Sequence, residues 1–115
     1  MKSGKPLKKA DKELFILIER KIKEKNYLFT THAKKRGQER NISDLDVLNI
    51  LEGKPGYERK RNKKKDSYDE LQDLNDQPQD WKYCIEGKDI DGKKVRIIIS
   101  FTEDLMPIIT VINIR

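Results

Sequence analysis

The apolar residues change their spacing part-way along the chain, and this change constrains the fold most. Before residue 53 they recur every three or four positions, which is the period of an α-helix with one buried face. After residue 80 they alternate with polar residues, which is the period of a β-strand. Helices followed by strands along the chain predict an α+β domain, with the helices packed on one face of an antiparallel sheet.

Three helices are predicted in the first half of the chain. The first covers residues 8–25, where Leu, Ile and Phe recur at helical spacing. A short extended stretch follows at 27–30, and Thr31 is the expected N-cap of a short second helix. Ser43 is expected to cap a third helix over residues 44–52. The short polar side chains at these two positions can accept a hydrogen bond from the first turn of each helix.

The second half of the chain predicts an antiparallel meander of three strands. They cover residues 81–85, 95–101 and 108–114, and an Asp-Gly pair marks a tight turn between the first two. Residues 56–60 are a candidate for a fourth strand. The residues expected to supply most of the core are Leu14, Ile18, Leu48, Leu51, Trp81, Tyr83, Val95, Ile97, Ile99, Ile108 and Ile112.

The length and the rare residues exclude several classes of protein. A chain of 115 residues fits one domain, with residues 1–7 expected to be frayed. A single cysteine and a single histidine exclude a disulfide framework within the chain and a Cys/His zinc site made by this chain alone. The longest apolar run, residues 14–18, is too short to cross a membrane. We therefore expect a cytoplasmic domain without a metal, a cofactor or a membrane partner.

The positive charge is concentrated in the first third of the chain. The net charge is +6, and residues 1–40 hold 13 basic and five acidic residues. Such an excess favours a polyanion partner, although it also serves solubility. A second charged segment, residues 60–78, has a basic block followed by an acidic block and is predicted to be a mobile insertion. The alternative is a basic arm that contacts phosphates through Arg59, Lys60 and Arg61.

The second predicted helix, from His32 to about Arg40, carries the residues best suited to chemistry. His32, Arg36 and Arg40 are four positions apart and share one face. A histidine can exchange a proton near neutral pH, and guanidinium groups bind phosphate with two hydrogen bonds. Lys34 and Lys35 add candidate nucleic-acid contacts. The alternative interpretation is a solvated helix face held by ordinary ion pairs.

The order of these motifs resembles a family of small bacterial domains of unknown function. That family is in turn similar to toxins of the RelE, BrnT and MqsR type. The resemblance covers residues 27–57 and 81–114. The motifs that carry it are Thr31-His32-Ala33, Arg36 and Arg40, Asn41-Ile42-Ser43, Tyr83, Asp91-Gly92 and Ile109-Thr110-Val111, with Asn41 where the family usually has glycine.

The resemblance implies a RelE-like or barnase-like ribonuclease architecture and a function in a toxin–antitoxin system. It implies cleavage of messenger RNA without a metal, through attack of the ribose 2′-OH on the adjacent phosphate. His32 would be the general base or acid and Arg36 and Arg40 would bind the scissile phosphate, with Tyr83 and Thr110 as further catalytic candidates. The implied partners are RNA, in some cases on the ribosome, and an antitoxin protein. The alternative is a non-catalytic basic module that binds RNA or a protein.

Overall fold

The computed structural model describes residues 6–68 and 80–114. These residues form an α+β fold, which confirms the predicted class. Helices and strands are named here in chain order. They are α1 (Asp11–Lys23), β1 (Tyr27–Phe29), α2 (Thr31–Glu39), α3 (Asp44–Glu52), β2 (Glu58–Arg61), a 3-10 turn (Lys63–Lys65), β3 (Tyr83–Lys88), β4 (Lys94–Ile99) and β5 (Met106–Asn113).

The predicted helices are present, but the N-cap residue of one of them differs from the prediction. The side chain of Ser43 accepts a hydrogen bond from the backbone N–H of Asp46, as expected for the N-cap of α3. The N-cap of α2, however, is Thr30 and not Thr31. The hydroxyl of Thr30 accepts from the N–H of Ala33 at 3.1 Å and donates to the carbonyl of Ile109 at 3.0 Å. One side chain therefore starts α2 and attaches it to β5.

The sheet has the order β1-β5-β4-β3-β2. Strands β2 to β5 pair in antiparallel fashion, which confirms the meander and adds the candidate fourth strand. The expectation of three or four antiparallel strands is nevertheless wrong, because β1 adds a fifth strand that runs parallel to β5. A three-residue strand that pairs with a segment almost 80 positions away has no local sequence signal.

The helices cover one face of the sheet, where the core lies. Val95, Ile97 and Ile99 alternate along β4, and all three are fully buried on this face. Ile112 was expected in the core, but it is only partly buried. The register between β4 and β5 shifts at Ile98/Ile99, so an extra residue in β5 places Val111 opposite Ile97 instead. Trp81 and Leu48 pack against the core but remain partly exposed.

The charged segment of residues 60–78 lies partly within the fold. Its first two residues belong to β2, and the basic run continues into the 3-10 turn. Ser67 then forms a bridge with Lys82. Residues 69–79, like residues 1–5, lie outside the described residues, so mobility of the insertion and fraying of the N-terminus stay predictions. None of the helices in the described segments is long and apolar enough to span a membrane.

The two neighbouring isoleucines of β4 test which face of the sheet is buried. Ile97 is fully buried and Ile98 is partly exposed on the other face. We expect Ile97→Ala to lower the free energy of unfolding by about 2–5 kcal/mol, because it leaves a cavity in the core. Ile98→Ala, the matched control, should cost less than half as much in chemical denaturation. Equal losses would contradict the assignment of the faces.

Candidate nucleic-acid interface

Helix α2 is fixed against β5 by its start and by two small residues. The backbone N–H of Thr30 donates to the carbonyl of Ile108 at 3.0 Å, beside the hydroxyl contact to Ile109. Ala33 and Gly37, four positions apart, are the buried residues of the helix. Both residues are small, and a Cβ at Gly37 would come 3.0 Å from the carbonyl oxygen of Ile42, in the connection between α2 and α3. This packing leaves the flank with His32, Arg36 and Arg40 directed away from the core.

The three predicted site residues differ in exposure. His32 is exposed, and no side-chain hydrogen bond holds its imidazole within the described segments. Arg36 is exposed over 43% of its side chain and lies 3.5 Å from a carboxylate oxygen of Glu39, one turn along. Arg40 follows α2 as its C-cap and is partly buried. The group is therefore accessible, with its most buried cation at the end of the helix.

Arg40 has an unusual environment for a partly buried cation. Its Nε is buried and has no hydrogen-bond acceptor in the described part of the chain. Among residues 6–68 and 80–114, no carboxylate forms an ion pair with its guanidinium group either. A buried donor without an acceptor costs about 1–3 kcal/mol, more when it is charged. The two Nη atoms of the same guanidinium group also lack a hydrogen bond there but keep some accessible surface, so an anion at the end of α2 would reach Arg40 at these atoms.

Further cations surround this helix. Lys34 lies 3.5 Å from Asp44 in an exposed pair, and Lys35 is exposed. Lys93, in the turn between β3 and β4, donates from its Nζ to the carbonyl of Asn41 at 3.0 Å. The positive surface of α2 thus continues past its C-terminal end into the β3–β4 turn, which no sequence motif indicated.

Tyr83 is placed in a different part of the molecule from α2. It is fully buried in β3, two strands away from β5, and its hydroxyl donates to Asp80 at 2.9 Å. Burial raises the pKa of the phenol well above its ordinary value, and the hydrogen bond to Asp80 adds to this effect. The structure therefore does not bring Tyr83 together with His32, Arg36 and Arg40, and its catalytic role stays a prediction. Thr110 is partly exposed on β5, the strand that carries α2, and its catalytic role stays a prediction.

The side chains of β2 alternate between the two faces of the sheet. This alternation separates the two arginines of the candidate basic arm from the lysine between them. Arg61 has only 2% of its side chain exposed and pairs with the buried Asp66 at 2.8 Å. Arg59 binds Glu19 at 2.7 Å and lies over the ring of Phe15. Both arginines face the helices and are bound within the fold. An arm that contacts phosphates would need these two side chains to be free. Lys60, between them, is exposed on the other face.

Other reactive groups in the described segments do not form a site. Cys84 is buried, and burial raises the pKa of its thiol to about 11, which disfavours the thiolate. The described residues contain no group of three His, Cys, Asp or Glu side chains arranged to hold a metal ion. The main candidate for chemistry is therefore the flank of α2.

A comparison with models of protein families shows which family the chain belongs to. The model of a domain of unknown function, DUF4258, matches residues 29–113. The chain belongs to the DUF4258 family. The match begins at the end of β1 and includes α2, α3 and the antiparallel strands, while α1 precedes it. No curated protein and no solved structure matches this DUF4258 chain.

The buried pair in β2 gives a prediction about the stability of this DUF4258 domain. Arg61 also donates to the carbonyl of Lys9 and to Asp11, so it connects β2 to the segment before α1. We expect Arg61→Ala to lower the free energy of unfolding by about 3–5 kcal/mol, because it leaves the buried Asp66 with only the more distant Lys8, at 3.7 Å, as a cationic partner.

The matched control for that substitution is the neighbouring residue. Lys60→Ala removes the same charge from an exposed position of the same strand. It should change stability by no more than about 0.5 kcal/mol in urea denaturation. A similar small effect for Arg61→Ala would show that this arginine is free, as a phosphate-binding arm requires.

Proposed function

We propose that this protein is a metal-independent endoribonuclease of the toxin type, with its site on the flank of α2. The observation that carries the proposal is the unpaired guanidinium of Arg40, whose buried Nε lacks an acceptor in the described residues. Arg36 and His32 share its helix face. Two cations and an imidazole on one accessible surface suit the binding and cleavage of a phosphodiester.

The proposed reaction uses the RNA's own 2′-OH as the nucleophile. His32 takes the proton from the 2′-OH, and the 2′ oxygen forms a bond to the adjacent phosphorus while the bond to the 5′ oxygen breaks. The 5′ oxygen leaves with a proton taken from water, so the products are a 2′,3′-cyclic phosphate and a free 5′-OH, and His32 then returns its proton to solvent. Arg36 and Arg40 bind the phosphate and stabilise the additional negative charge of the pentavalent transition state. Thr110, on the strand against which α2 packs, is a further candidate for contact with the substrate.

The biological setting follows from the resemblance to RelE, BrnT and MqsR toxins. On this proposal the protein acts on messenger RNA in the cytoplasm, on or off the ribosome, and an antitoxin protein controls it. An α+β fold with its helices on one face of the sheet is compatible with the RelE-like architecture. The resemblance in the Thr31–Ser43 segment supports the relation.

A second candidate function is a non-catalytic RNA-binding module. Two observations favour it: Tyr83 is enclosed in a separate buried network, and His32 has no hydrogen-bond partner in the described segments to orient its ring. A general base normally needs such an orienting group. Binding by Arg36, Arg40 and the neighbouring lysines needs only their charge.

Substitutions on α2 separate the two functions. We expect His32→Ala to reduce cleavage of RNA about 10²–10⁴-fold while leaving the circular dichroism spectrum and RNA affinity unchanged, because it removes only the proton acceptor. Arg36→Ala should lower both cleavage and affinity, and Arg36→Lys should restore part of each, since lysine lacks the two-point contact. The reaction should proceed in EDTA.

Lys12→Ala is the control, since it removes one charge from an exposed position of α1, outside the candidate site, and should have a mild effect on both cleavage and affinity. Undiminished cleavage in His32→Ala would exclude the general-base role. If the wild-type protein binds RNA but cleaves none, with or without ribosomes, the binding module is the correct function.

A further inference from the structure

A groove lies on the face of the sheet turned away from the helices, which we call the back face. It is formed where β2, β3 and β4 lie side by side and has a volume of about 400 Å³. Three lysines line it, one from each strand: Lys60, Lys88 and Lys94. Alternation along each strand places these side chains opposite the residues that face the core, such as Gly87 and Val95.

The lysines of the groove form no ion pair within the described part of the chain, although Lys60 lies opposite Glu86 and Lys88 opposite Glu58 in the strand register. Lys88 and Lys94 are directly opposite in the register of β3 and β4, an arrangement of like charges that destabilises a sheet. No carboxylate lies within 4 Å of any of the three lysine ammonium groups in that part. Such a pair is better tolerated when an anion bridges it.

The acidic residues of the groove are mostly engaged elsewhere. Glu86 accepts from Asn62 and from Arg96, both at 2.9 Å, and these hydrogen bonds, with the charges of Arg96 and Lys60, hold the pKa of its carboxyl below the ordinary value. Glu58, opposite Lys88 in the register of β2 and β3, is the remaining carboxylate. The groove therefore keeps an excess of positive charge, and no aromatic residue lines it to stack on a base.

The groove and the α2 flank meet at one end of the molecule. Lys93 precedes Lys94 and donates to the carbonyl of Asn41, the residue that follows Arg40. The β3–β4 turn thus connects the end of α2 with the entrance to the groove. A chain of phosphates that leaves Arg40 would pass Lys93 and the exposed Asp91 on its way around this turn to Lys94.

We propose that the back-face groove binds a second phosphodiester of the same RNA strand that occupies α2, through Lys88 and Lys94. This rests on the proposed binding of RNA at α2, but not on its cleavage. Charged contacts without an aromatic platform recognise the nucleic-acid backbone and not the bases. The groove extends the binding site beyond the cleaved bond and should act on long substrates independently of their sequence.

The test measures binding of non-cleavable 2′-fluoro RNA by fluorescence anisotropy, using one short and one long oligonucleotide. In the double variant Lys88→Gln/Lys94→Gln, the affinity for a 16-nucleotide strand should fall about tenfold. The slope of log affinity against log salt should become shallower by about 1.4, the value for two phosphate contacts on a single strand. The affinity for a trinucleotide, too short to occupy both sites, should stay the same.

The control is Lys12→Gln/Lys23→Gln, which removes the same charge from exposed positions of α1 and should leave both affinities within about twofold. Equal loss in the control and the groove variant would show a general charge effect and overturn the proposal. Unchanged binding of the long strand by the groove variant would overturn it as well. If RNA binds as described but is never cleaved, the ribonuclease function fails and the groove stands. If the wild type binds no RNA, both fail.

Discussion

The attachment of α2 to β5 through the hydroxyl of Thr30 is the interaction on which the candidate site depends. It caps the first turn of the helix and donates to the carbonyl of Ile109, next to the point where the register of β5 shifts. Because both contacts involve one short side chain, the helix cannot move relative to the strand without breaking at least one of them. The position of His32, two residues along, is fixed by the same contacts.

The buried charges explain how a chain with so many basic residues forms a stable sheet edge. Along β2, Arg59 and Arg61 are turned towards the helices and bound by Glu19 and Asp66, while Lys60 remains exposed. A strand of four charged residues has no hydrophobic alternation that tells which side faces the core. The sequence therefore could not distinguish the arginines that hold the fold from the lysine that remains exposed.

In the rest of the chain, what could be predicted from the sequence depends on whether the interactions are local or distant. The helix around Ser43 and the meander follow from patterns within a few residues, and the structure confirms them. The parallel pairing of β1 depends on a distant strand. The burial of Val111 where Ile112 was expected depends on one extra residue in β5. The shared face of His32, Arg36 and Arg40 was predictable from their spacing. The unpaired state of Arg40 was not, because it depends on what surrounds the end of the helix.

The central claim, that a phosphate completes the environment of Arg40, can be tested directly by NMR. The Nε–H resonance of Arg40, assigned with Arg40→Gln, should shift strongly when non-cleavable single-stranded RNA is added, because a phosphate binds the same guanidinium group at its accessible Nη atoms. The Nε–H of Arg61, already bound to Asp66, should remain in place. If the RNA binds, as shown by shifts elsewhere in the spectrum, and the Arg40 resonance does not move, the account of the site is wrong.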